Sequence, residues 1–185
     1  MKTIFKSILT LGLATGLGFA ANAQTTSVIN TDVTASAVIL DALTLTKNSD
    51  INFGNLSATT PGAVFLDPQG TANQNTGTIT SVGKFTLAGS TGKSVKVSWP
   101  ATIVLTGDQT IPSTITYELL VFGNTEDDAS LASSLGAQGV ATTDDVTLDS
   151  TSGNYFLYVG GGFPALASKA TGTYTGTANF TVEYN

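Results

Sequence analysis

The chain of 185 residues has no cysteine and no histidine, and all seven of its basic residues are lysines. Without histidine there is no Ser-His-Asp triad and no imidazole base. Without cysteine there is no thiol nucleophile, no iron–sulfur cluster and no disulfide. The two absences together remove nearly every zinc, copper or haem site. The absence of arginine removes the bidentate clamp for phosphate. Carboxylates, lysine, tyrosine and Ser/Thr are what remains for catalysis. The expectation is a protein that is not an enzyme and carries no cofactor.

Charge is also scarce. Only 11% of the side chains are charged, thirteen of them acidic, for a net charge of −6. An acidic surface without arginine repels phosphate, which disfavours nucleic acid as a partner. Hydrophobic residues make up 41% of the chain, enough for one ordinary core and too many for a disordered polymer.

Residues 1–23 read as a secretory signal peptide. Lys2 and Lys6 give a positive start, an uncharged apolar run follows from Ile8 to Ala20, and Ala21-Asn22-Ala23 is a small-x-small cleavage pattern. The run is short for a bilayer span. Cleavage before Gln24 would remove two lysines and no acid, taking the net charge to −8. The expected protein is exported to the periplasm, cell surface or exterior, with no membrane span after cleavage. Lacking cysteine, it must rely on core burial for stability.

From residue 24 onward, apolar residues alternate with polar ones again and again, the period of half-buried strands. Tyr174, Gly176, Ala178, Phe180, Val182 and Tyr184 share one face of a predicted C-terminal strand, opposite Thr175, Thr177, Asn179, Thr181 and Glu183. Further strands are predicted around Phe85 and Leu87, from Val95 to Trp99, from Ile115 to Val121, and around Val146 and Leu148. Tyr155-Phe156-Leu157-Tyr158-Val159 is continuously apolar, as in a central strand. Shorter candidates lie at residues 43–45, 64–66 and 103–105. Turn signals separate these runs at Phe53-Gly54-Asn55, Pro61-Gly62, Gly89, Gly107, Gly123-Asn124 and Gly160-Gly161-Gly162. Residues 70–77 read as a loop, residues 128–135 as the single helical turn, and Pro100 as a strand break. Many short strands without a helical period predict a single all-β domain over residues 24–185, a mostly antiparallel β-sandwich or a barrel.

Ile29, Val33, Ala35, Ala37 and Ile39 alternate with mostly polar residues within 27–40. Pattern alone suits an ordinary first strand of the sandwich. The small side chains also fit a strand that slots into a narrow groove, although pattern alone favours the ordinary first strand.

The acids are the first candidates for chemistry. Glu126-Asp127-Asp128 and Asp144-Asp145, with Asp149 beyond, cluster beside turns, where solvated loops are expected, and a glycosidase would need two acids facing across a cleft. Calcium suits oxygen-rich loops, yet the spacing matches neither an EF-hand nor a Gly-Asp repeat, and no ligand set is assigned. The triglycine lacks the Lys-Ser/Thr of a phosphate loop. Trp99 shares a face with Val95 and Val97 and is expected in the core. Tyr155 and Tyr158 fall on opposite faces of a strand and cannot form one sugar platform. Lys47, close to Asn48 and Asp50, has no specific crosslinking pattern.

Several stretches carry a resemblance. Asp50 to Leu56 (DINFGNL), Pro61-Gly62, Val64 to Pro68 (VFLDP), Tyr158 to Gly161, Gly172 to Gly176 (GTYTG) and Val182 to Asn185 together resemble the bacterial secreted domain-of-unknown-function 4402 family, over nearly all of the mature chain. These motifs are turns and strands, so they imply a fold and no active site. Asp32 to Ala37 (DVTASA) and Gly172 to Gly176 are similar to parts of fimbrial pilins of the colonisation-factor class. That similarity implies an immunoglobulin-like sandwich left open at one strand position and filled by the N-terminal segment of the next subunit. On this reading the chain is a structural surface protein. Its partners are other copies or related subunits, joined by strand exchange. Ile29, Val33, Ala35, Ala37 and Ile39 would form the donor strand. Tyr174, Ala178, Phe180, Val182 and Tyr184 would form the acceptor edge. The alternative is a self-complete adhesin or carbohydrate-binding module.

Overall fold

A computed structural model describes residues 32–166 and 169–185. The chain divides into two units, Met1–Ala37 and Val38–Asn185. The predicted signal peptide and Ile29 lie outside the described residues. Residues 32–37 are exposed and have no helix or strand. The reading of 27–40 as an ordinary first strand is therefore not met over 32–40, and the first strand of the second unit begins at Thr44.

The second unit is all-β. In chain order the strands are β1 (Thr44–Ser49), β2 (Val64–Leu66), β3 (Gly83–Ala88), β4 (Ser94–Trp99), β5 (Thr102–Gly107), β6 (Thr114–Asn124), β7 (Ser133–Ser134), β8 (Thr142–Thr147), β9 (Asn154–Phe163), β10 (Tyr174–Thr175) and β11 (Thr181–Tyr184). One 3-10 turn, Ala129–Leu131, falls within the predicted helical turn, and Asp128 caps it by accepting from the Ser130 amide. The larger sheet has the order β1-β3-β9-β6-β5-β10, with β2 also on β9 and β7 on β6; it curls into a half-barrel. The smaller sheet has the order β11-β4-β8. Every pairing is antiparallel. The crossover between sheets at Trp99-Pro100 follows from the proline, which ends β4 before β5 begins in the other sheet.

The alternation read from the sequence places the core. Val95, Val97 and Trp99 of β4, with Val146 and Leu148 at β8, are buried together with Leu87 of β3, Ile115, Tyr117, Leu119 and Val121 of β6, and Tyr155, Leu157 and Val159 of β9. The expectation that 155–159 is central holds, since β9 has β6 on one side and β3 then β2 on the other.

Two turn expectations are overturned. Gly160-Gly161-Gly162 is no turn: β9 runs straight through it to Phe163, paired with β6 from Glu118↔Gly162 to Asn124↔Phe156. The glycines are there because the neighbouring strands press close. At Gly161, with φ +125°, a side chain would meet the Glu118 carbonyl; at Gly160 and Gly162 it would meet the carbonyls of Leu66 and Val64. Gly123-Asn124 likewise lies inside β6, where the Tyr155 ring occupies the space a side chain would need.

The C-terminal strand is corrected too. The inward alternation of Tyr174, Ala178, Phe180, Val182 and Tyr184 holds, since all five pack against the core. The hydrogen bonding does not run through. Residues 174–175 pair with β5, residues 181–184 pair with β4, and residues 176–180 form no strand as the chain passes from one sheet to the other.

Candidate functional site

The small sheet covers only part of the concave face of the half-barrel. The uncovered part is a groove of about 710 Å³. One wall is residues 47–58, leading out of β1; the other is residues 169–178 and Phe180. Its floor is formed by Phe85, Ile103, Leu105, Ile115, Tyr117 and Phe163. Phe53 leans over this floor from the first wall. Its ring meets Tyr117 edge-on at 5.2 Å and Phe163 at 4.8 Å.

The groove has two unlike ends. At one end Phe180 closes it, with its ring 4.8 Å from Phe85 and 6.4 Å from the Trp99 ring. Past Phe180, Tyr184 of β11 ties down the segments before β1 and after β3: its hydroxyl accepts from the Ser90 amide at 2.7 Å and donates to the Asp41 carbonyl at 3.0 Å. At the other end Asn52 and Asn55 face Ala170, Thr171 and Thr173, all exposed. Among the described residues no backbone hydrogen bond joins 47–58 to 173–180. β1 is bonded only to β3, and β11 only to β4, so each leaves one edge without a partner strand.

Of the predicted acceptor residues, Tyr174, Ala178 and Phe180 line the groove; Val182 and Tyr184 lie past its closed end in β11. Of the predicted donor residues, Val33 is 90% exposed and Ile39 95%, Ala35 and Ala37 are exposed, and Val38 between them is 77% exposed. The sequence marks the floor residues Ile103 and Leu105 only as a short strand, and Phe53 only as the flank of a turn. Their role comes from the curl of the sheet, which brings β5 opposite the loop after β1.

The acids have structural employment. Asp127 binds the Lys84 ammonium and accepts from the Tyr158 hydroxyl at 2.9 Å. The lysine first, and then the tyrosine, hold its carboxyl below the usual range. Asp128 is lowered by the Ser130 hydroxyl and amide, and Asp149 by the amides of the turn it caps. Asp144 and Asp145 are neighbours on β8. Among the described residues no three acids gather as a metal site. Lys47 and Asp50 form an exposed ion pair at 2.6 Å.

The aromatic residues weighed for sugar stacking do not form a platform. Trp99 is in the core, Tyr155 points inward against Gly123, and Tyr158 points to the opposite face with Asp127. Burial first, and then Asp144, push the Tyr155 phenol up to about 12. Burial also raises Tyr117, whose hydroxyl donates to the Gly160 carbonyl at 2.5 Å.

One carboxylate escaped the sequence reading. Asp67, 6% exposed, accepts from the amides of Gln69, Thr71 and Ala72 and from the Thr71 hydroxyl, at 2.9–3.1 Å. Burial opposes its ionisation, but these donors outweigh it and hold the carboxyl below its usual value. It organises the loop after β2. The Asp67-Pro68 pair inside a loop-rich stretch was its only signal.

No curated protein matches the chain. The family model for the domain of unknown function DUF4402 matches residues 43–184, from just before β1 to the end of β11, and the chain therefore belongs to the DUF4402 family.

Proposed function

We propose that the chain is an exported, non-enzymatic structural subunit of the cell surface, pilin-like, that assembles by β-strand addition. Its sandwich is read as immunoglobulin-like with one strand position left open. The segment 27–40 of one copy enters the groove of another, with Val33, Ala35, Ala37 and Ile39 turned to the apolar floor. The observation that carries this reading is the groove itself: an apolar floor flanked by strand edges without partners.

The segment supports it from the other side. Val33 and Ile39 are almost wholly exposed, and Ala35 and Ala37 are exposed, in a stretch that has no strand of its own. Length agrees as well. Seven extended residues, 33–39, reach about 20 Å, enough to run alongside the five residues 176–180 that belong to neither sheet. Filling the groove would supply main-chain hydrogen bonds to unpaired edges and bury several apolar side chains.

The test is the oligomeric state of the chain from residue 24 onward, by light scattering and electron microscopy over a concentration series. Polymers are expected, and Val33→Asp or Ala35→Asp should abolish them without unfolding the domain, because an unpaired charge would enter an apolar site. A chain that stays monomeric at high concentration, or polymers indifferent to both substitutions, would defeat the reading.

A further inference from the structure

From the shape of the groove we infer a polarity and a register for the added strand, an inference that rests on the proposed strand addition. The incoming segment of a second copy runs antiparallel to residues 174–180, with Ile39 at the open end and Val33 against the closed end.

Three observations converge. The first is steric. The groove ends at the Phe180 ring, which packs on Phe85 and Trp99, while Asn52, Asn55 and the exposed residues 170–173 line its other end. Five residues after Ile39 the incoming copy becomes β1 of its own body. That body cannot fit inside the groove, so the end of the segment nearest it must lie at the open end. The second is backbone chemistry. Residues 176–180 have left β5 and not yet joined β4, so their strand-forming groups await a partner. All the ladders of this fold are antiparallel, and antiparallel pairing is the more stable kind per residue.

The third is side-chain size. With Ile39 opposite Tyr174, the pairs that follow are Ala37 with Gly176, Ala35 with Ala178 and Val33 with Phe180. Inward residues of one strand then meet inward residues of the other, as a ladder requires. Small residues face small ones in the middle and large ones sit at the two ends in either direction, so size sets the register, and the closed end bears on the direction. The reversed strand places Ile39 against Phe180, at the closed end where Phe85 and Trp99 already fill the space.

The chain's lack of cysteine makes this directly testable. Thr34, Val38, Thr175 and Asn179 are all exposed, so single cysteines there should leave the fold intact. In the inferred register Thr34 opposes Asn179 and Val38 opposes Thr175, at a spacing a disulfide can bridge. Chains carrying Thr34→Cys with Asn179→Cys, or Val38→Cys with Thr175→Cys, should give a ladder of linked oligomers on a non-reducing gel after mild oxidation. Single variants should stop at dimers. The crossed pairs, Thr34→Cys with Thr175→Cys and Val38→Cys with Asn179→Cys, should give no ladder. Ladders from the crossed pairs alone, or equally from all four, would overturn the polarity while strand addition stands. Polymers by light scattering with no ladder from any pair would overturn the register. A monomer by light scattering would instead defeat the strand-addition reading itself, so the two failures are distinguishable.

Discussion

The two halves of the half-barrel use the same kind of residue to different ends. Where β4 and β8 lie over β9, β6 and β3, the side chains of Val95, Val97, Leu87, Leu119 and Leu157 have no exposed surface at all. Where the small sheet stops, Phe53, Phe85, Ile103, Leu105 and Phe180 are only partly buried, although they continue the same inward alternation. What differs is the number of layers. Apolar alternation thus marks the face that points inward; it does not tell whether anything sits on that face. The covered half supplies stability, and the uncovered half is left with apolar surface over which the small sheet does not extend.

The sharpest way to break this contrast is to disturb the covered half at its tightest point. Gly161 has a backbone conformation that side chains rarely adopt, and it has no room beside the Glu118 carbonyl. Gly161→Ala should force β9 away from β6 and destabilise the domain by about 4 kcal/mol or more, beyond what strain at an open turn costs. Urea denaturation followed by tyrosine and tryptophan fluorescence measures it. The matching control is Gly70→Ala, also at positive φ but with nothing near its missing side chain. It should cost about 1 kcal/mol. Similar losses at the two sites would mean that the triglycine is a matter of backbone freedom and not of packing.

The fold was legible in the sequence to the extent that it depends on local alternation. Trp99, Leu119, Val121 and Val146 are in the core where their period placed them. The triglycine and Gly123 misled because glycine punctuates chains in two ways: it permits turns, and it permits neighbours to come close. Only the neighbours, Leu66, Glu118 and Tyr155, distinguish the two, and they are far away in sequence. The C-terminal segment misled for a related reason. Its alternation is unbroken from Tyr174 to Tyr184, but alternation records which way side chains point and not which strand receives the backbone hydrogen bonds. The groove was legible on one wall only, through Tyr174, Ala178 and Phe180. The other wall and the floor arise from the curl of the sheet, which no single segment encodes.

A smaller effect is expected at the loop that braces the covered half from outside. Asp67 serves three amides and a hydroxyl, and an asparagine there would turn an amide N–H toward groups that can only donate. Asp67→Asn should cost about 2 kcal/mol. Because the carboxyl is held below its unfolded value, its contribution is present above the unfolded value and is lost as the pH falls through the folded one. The wild type should therefore lose stability in acid more steeply than Asp67→Asn. Equal acid slopes for the two proteins would remove Asp67 from the account.

The smallest effect belongs to the uncovered half, and there the size of the effect depends on what occupies the groove. Ile103 on the floor is half-buried, so Ile103→Ala in an isolated domain gives up little apolar contact, about 1 kcal/mol. A peptide of residues 27–40 added to a domain that begins at residue 41 changes the balance. A ligand that binds only the folded state stabilises it in proportion to the logarithm of its concentration over its dissociation constant. On the proposed strand addition the peptide should make Ile103 part of a covered core, and the same substitution should weaken peptide binding and cost about 2–3 kcal/mol in total. The difference between the two measurements, with and without peptide, reports how far the uncovered half has been converted into the covered kind. If the peptide leaves the cost of Ile103→Ala unchanged, the half-burial at the groove is simply the edge of the core, and nothing is meant to lie upon it.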